Sequence, residues 1–266
     1  MDINIGFWLT LAVLFCGALW LVDRFAGLRE KGEKVRETVE FFNSLLPVFL
    51  VVLIIRSFIV EPFTIPSGSM IPTLKVHDFV LVNRFAYGLR LPVTNTRVIP
   101  VGEPERGDVM VFRFPRDPSM NYIKRVVGLP GDKVALRDGH LYINGEEVAR
   151  DLVRENRGRT MVGSVYVEHL GEQSHLMRRE TRLNPYTGEP VHTGREGSWT
   201  VPDDEYFVLG DNRNNSRDSR FWGTVPDELV KGKAFLIWMH WDPIFSWPDF
   251  SRNGAIDQPS SWEAKQ

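Results

Sequence analysis

The sequence predicts a mainly β domain carried on two N-terminal transmembrane helices. Three observations predict it: two apolar runs within the first 60 residues, a basic stretch between them, and short β-type runs broken by glycine and proline from Glu61 onward.

The first run, Ile3–Val22, carries no charge and is about 20 residues long, enough to cross the hydrocarbon core of a bilayer as a helix. A cleavable leader would need a basic segment before the run and a small-x-small site after it. Only Met1 and Asp2 precede Ile3, so residues 1–22 are expected to be a retained anchor. The second run, Ser44–Val60, places the second anchor at residues 43–60. Arg56 near its end is expected to reach the interface, and Pro47 to fall in the first turn. Residues 23–42 hold Arg24, Arg29, Lys31, Lys34 and Arg36, whereas the N-terminal tail has no Lys or Arg. Lys and Arg mark the cytoplasmic side, so this loop is expected inside and residues 61–266 outside.

Composition narrows the chemistry. The formal net charge is -2 and the pI is about 6.3, with no basic stripe of the kind nucleic-acid binding requires. Cys16 is the only cysteine and lies in an apolar run, where it reads as a small hydrophobe. The histidines show no zinc spacing, and there is no Gly-rich phosphate loop, so no metal or cofactor is expected.

In the outer domain, strands are predicted at 79–82, 109–112, 122–127, 141–143, 206–209 and 234–238, with a hairpin turn at Asn144-Gly145. The stretch from about Arg150 to Trp199 is polar and weakly periodic, and it reads as an inserted surface subdomain.

Three segments carry candidate chemistry. Ile65–Leu74, IPSGSMIPTL, is a Pro- and Gly-fixed turn that presents Ser69. Taken alone, that serine also suits a simple turn-former. Lys124 sits mid-strand in YIKRVV. Lys124 and Arg125 should face opposite sides, so one points inward or the strand lies at a sheet edge. A desolvated lysine can be neutral and act as a base. Gly210–Arg220, GDNRNNSRDSR, is rich in short polar groups, fitting either a structured loop or a scaffold that orients the lysine.

Two anchors followed in order by EPFTIPSGSMIPTL, GDVMVFRFP, YIKRVVGLPGD and GDNRNNSRDSRFWG closely resemble the bacterial type I signal peptidases. The resemblance covers nearly the whole chain and is weakest at about 150–199. It implies a signal-peptidase-like β fold and a Ser–Lys serine peptidase that removes signal peptides after small-x-small sites through an acyl-enzyme. It makes Ser69 the nucleophile and Lys124 the general base, with Ser67 and the Ser69 N–H as oxyanion donors. Ser216 would hold Lys124, Asp218 and Arg220 would form a supporting ion pair, and Arg125, Asp211 and Arg213 belong to the same framework. Pocket walls would come from Phe63, Ile65, Met70, Leu74, Val80, Val111, Tyr122 and Ile123. Asn121 departs from relatives that carry an acidic residue there, at the pocket edge.

The implied setting is the bacterial inner membrane with a periplasmic catalytic domain. The implied partners are signal-peptide-bearing preproteins and the bilayer, with the protein translocase a further candidate and the enzyme itself monomeric. Trp241, Phe245 and Trp247 are expected on a rim that meets lipid, since tryptophan favours an apolar surface next to water. Two rival readings remain at this stage: a self-cleaving or conjugation-type Ser–Lys peptidase, and a non-catalytic envelope scaffold in which Ser69 only forms a turn.

Overall fold

A computed structural model describes the chain except residues 1–4, 56–58, 91–96, 159–160, 185, 188–189, 192–194, 243–246 and 257–266. Arg56 and Phe245 therefore lie outside the described residues. The chain divides into two units, residues 1–61 and 62–266.

The first unit holds helices Ile5–Ala26 and Glu33–Ile54, each 22 residues long and each with a stretch long and apolar enough to cross a membrane. The second helix starts at Glu33, ahead of the expected 43, because its charged opening turns are themselves helical and solvent-exposed. Arg36 and Glu40 sit there one turn apart, 3.9 Å between charged atoms. Pro47 consequently lies inside the helix and not in its first turn, where it deprives one carbonyl of a donor. Gly27 and Gly32 both take positive φ and frame the short connection Leu28–Lys31.

The second unit is mostly β. All six predicted strands are present, as parts of Asp78–Asn83, Val109–Phe114, Asp117–Gly128, His140–Ile143, Glu205–Leu209 and Val230–His240. Asn144 and Gly145 both have positive φ, and Tyr142 pairs with Glu147 across them, giving the expected two-residue hairpin. Six strands of the eight-stranded main sheet run in the order Asp78–Asn83, Val230–His240, Val109–Phe114, Asp117–Gly128, Glu205–Leu209, Val225–Pro226. Asp117–Gly128 is thus an interior strand, with Met110 opposite Lys124 and Leu209 opposite Arg125. That disposes of a solvated edge lysine: Lys124 and Arg125 are both buried.

The polar stretch 150–199 holds an antiparallel meander, Arg150–Arg157, Met161–Leu170 and Gln173–Leu183. Its third strand touches the main body: Arg178 N–H donates to Asp211 O at 2.8 Å, and Arg213 N–H donates to Arg178 O at 2.9 Å.

Candidate active site

Ser69 lies in a single helical turn, Gly68–Met70, followed by a cis Ile71–Pro72 bond. Hydrogen bonds from the backbone and side chain of Asn212 hold this turn. Asn212 N–H donates to Ser69 O, and Asn212 Nδ2 donates to Gly68 O, both at 3.0 Å. Asn212 is a positioning residue that the sequence showed only as one polar member of a polar loop.

Lys124 Nζ donates to Ser69 Oγ at 2.7 Å and to Ile123 O at 2.8 Å. Only 4% of Lys124 is exposed. Desolvation dominates its titration and lowers its pKa to about 8, against the opposing fields of Asp218 and Asp211. The Tyr122 ring lies 5.5 Å from the amine. Ser67 is exposed, and its Oγ is 3.4 Å from Ser69 Oγ.

Around this pair the sequence-predicted charges gather into buried ion pairs. Arg125 clasps Asp211 through Nε at 2.9 Å and a terminal nitrogen at 2.7 Å, and donates to Gly107 O at 2.6 Å. Thr73 Oγ1 adds a bond of 2.5 Å to Asp211. Arg220 clasps Asp218 at 2.7 and 2.8 Å and reaches Arg213 O at 2.6 Å. Asp218 also caps the Ser219–Trp222 turn and accepts from Gly210 N–H at 3.0 Å. Arg213 pairs with Glu168 from the meander, one bond being 2.8 Å. His175 sits 3.4 Å from Glu168 and 3.8 Å from Asp211. Burial, then Arg125 and Arg213, push its pKa well below the usual histidine value, so it is neutral there. Thr73, Glu168 and His175 are framework residues that sequence reasoning missed.

Ser216 departs from its expected contact. Its buried Oγ has no hydrogen-bond partner and lies against Gly210, where an added Cβ would stand 2.2 Å from it and 2.5 Å from Ser69 O. Glycine is required at 210 by that close approach.

Seven of the expected pocket residues, Phe63, Ile65, Met70, Leu74, Val80, Val111 and Ile123, share one apolar cluster beside Ser69. Met70, Leu74 and Val80 have no exposed surface, so they underlie the site, while Phe63 is partly exposed. Tyr122 packs against a second apolar cluster and stacks on Phe114 at 4.4 Å, with its ring still 5.5 Å from the Lys124 amine.

A buried amine bonded to a serine hydroxyl, flanked by a second hydroxyl and rigid ion pairs, can abstract a proton and support attack on a carbonyl. The family model described as signal peptidase, peptidase S26 matches residues 38–241. A signal peptidase I of Pseudomonas aeruginosa is 49% identical, covering 96% of this chain and 100% of that one. Its counterpart in Pseudomonas fluorescens is 47% identical over the same shares, and that of Buchnera aphidicola from Acyrthosiphon pisum is 37% identical over 86% and 85%.

Proposed function

This chain belongs to the signal peptidase family, peptidase S26, and from that premise we infer a serine endopeptidase that removes signal peptides from exported preproteins, with Ser69 as nucleophile and Lys124 as general base. The observation that carries the assignment is the 2.7 Å bond from a buried Lys124 amine to Ser69 Oγ.

With a pKa of about 8, roughly one amine in ten is neutral at pH 7. The neutral Nζ takes the Ser69 proton as Oγ attacks the carbonyl carbon before the scissile bond. The Ser67 hydroxyl and the Ser69 N–H hold the oxyanion. Lys124 then passes its proton to the departing amine, which leaves an ester on Ser69. A water molecule, deprotonated by the same lysine, hydrolyses that ester, and the lysine returns the proton to Ser69 Oγ as it leaves. Small apolar side chains on the substrate's signal side suit the apolar cluster beside Ser69.

The two long apolar helices fit a multi-pass inner-membrane protein with its catalytic unit in the periplasm. Trp241 and Trp247 are exposed, the latter by 91%, which supports contact of that surface with lipid. The enzyme acts as a monomer, with the translocase a candidate neighbour.

Ser69→Ala and Lys124→Ala, assayed on a preprotein with the full enzyme in lipid, should each lower turnover by at least about a thousandfold. Lys124→Arg should fail equally, because guanidinium stays protonated. Near-normal turnover by any of the three overturns the dyad. Labelling of cysteines introduced at positions 30 and 200 should find the first shielded from the outside and the second exposed; the reverse overturns the orientation.

A further inference from the structure

A cavity of about 540 Å³ opens beside the catalytic turn, outside the apolar cluster under Ser69. One wall is Ile71, Pro72 and Lys75, the chain immediately after the nucleophile. The other wall is one face of the meander. Register makes that face regular: Arg154, Val165 and Arg178 stand in one row across three strands, and Asn156, Gly163 and Glu180 in the next. Among the described lining residues, Lys75, Arg154 and Arg178 are cations and Glu180 is the one carboxylate, which Arg178 holds in an ion pair. Gly163 forms a smooth floor, and an added Cβ there would meet nothing within 4 Å.

We propose that this groove binds the segment of the preprotein downstream of the scissile bond and selects for acidic side chains in it. The proposal rests on the peptidase reading above. Two arguments commit the groove to this occupant. The first is continuity: its wall begins at Ile71, two residues from Ser69, so a chain held at the nucleophile is within reach of it. The second is charge. The signal side of the substrate is apolar and suits the cluster under Ser69, but not a groove lined by three cations. The downstream segment is polar, and it has crossed the membrane. Lys and Arg flanking an apolar span stay on the cytoplasmic side, so a segment destined for the outer side is poor in them. A cationic groove therefore faces a substrate stretch that is neutral or acidic by the logic of export itself, and it disfavours chains carrying Lys or Arg there.

The test uses the full enzyme in neutral detergent and two substrates identical through the cleavage site. One carries three Asp or Glu at the third to sixth positions after the scissile bond, the other three Lys. The wild-type enzyme should prefer the acidic form by about tenfold in kcat/KM, mostly through KM, and the preference should shrink as salt is raised. Lys75→Glu with Arg154→Glu should reverse the preference. Gly163→Trp, which fills the groove from an unstrained strand position, should raise KM for a long downstream segment relative to one truncated after two residues. A preference unchanged in both variants overturns the proposal. So does an unchanged preference accompanied by weaker binding of the variants to phosphatidylglycerol vesicles, which would assign the groove to a lipid headgroup. Failure of the underlying peptidase reading looks different: no Ser69-dependent cleavage of any of these substrates.

Discussion

Lys124 and Arg125 are neighbours on one strand, both buried, yet the regions around them are built in opposite ways. On the Arg125 side, every buried guanidinium has a carboxylate. Arg125 has Asp211, Arg213 has Glu168 and Arg220 has Asp218, each through two nitrogens. On the Lys124 side, the cation's bonds go to a hydroxyl and a carbonyl. A buried pair with all its bonds made is chemically inert, because neither partner has a reason to change protonation. A buried amine bonded only to neutral groups is held near the point of losing its proton. The framework makes the reactive site possible by remaining unreactive itself.

The comparison breaks first on the paired side. Asp211→Asn leaves Arg125 buried against a neutral amide. Removing one partner of a buried pair costs about 3–5 kcal/mol, and thermal or denaturant unfolding in detergent should read that loss. A variant as stable as the parent would mean that the cluster is solvated and does not brace the site.

Lys124→Met should do the reverse. The folded-state pKa of about 8 lies below the ordinary 10.5, so the unfolded chain holds more protons between those values, and stability rises with pH across that window. Below pH 8 the penalty is fully present, on the order of 3 kcal/mol. At pH 7 the methionine variant should therefore be inactive yet more stable by about 2 kcal/mol, and the gain should vanish as pH approaches 10.5. A destabilised variant at pH 7 would show that the lysine's two bonds outweigh its desolvation. In the wild type, kcat/KM should climb about tenfold per pH unit up to a limb near pH 8, because only the free amine accepts the serine proton.

The two regions also differed in how far they could be read in advance. Lys124 was conspicuous in YIKRVV because a charge interrupts apolar neighbours, and Ser69 because IPSGS forces a turn. Glu168 and His175 were not, because they resemble surface residues of a polar segment and their partners are distant in sequence. The first strand of that segment, Arg150–Arg157, is exposed along almost its whole length, so it offered no alternation to detect. The second helix was placed too late because its first turns are amphipathic, and a hydropathy reading sees only the apolar part.

The smallest expected effect sharpens the comparison most, because it concerns a hydroxyl that belongs to neither rule. Ser216 Oγ is buried without a hydrogen-bond partner, as are Asn212 Oδ1 and Arg213 Nε in the same framework, and it lies against Gly210 close to the carbonyl of Ser69. A buried hydroxyl without a partner adds nothing to stability, so Ser216→Ala should change unfolding by less than about 0.5 kcal/mol. Catalysis makes a different demand. While the tetrahedral intermediate lasts, Lys124 holds the serine proton and has lost its hydroxyl partner while still buried. The Ser216 hydroxyl, turned about one side-chain bond to face the amine, would take its place. Ser216→Ala should then lower kcat by about tenfold with little change in KM, while Ser216→Thr, which keeps the hydroxyl, recovers part of the rate. A hydroxyl that accepts from the ammonium also favours the charged form, so its removal should move the limb of the kcat profile toward lower pH. Loss of stability without loss of kcat would place Ser216 with the paired framework, as one more packing contact around Gly210.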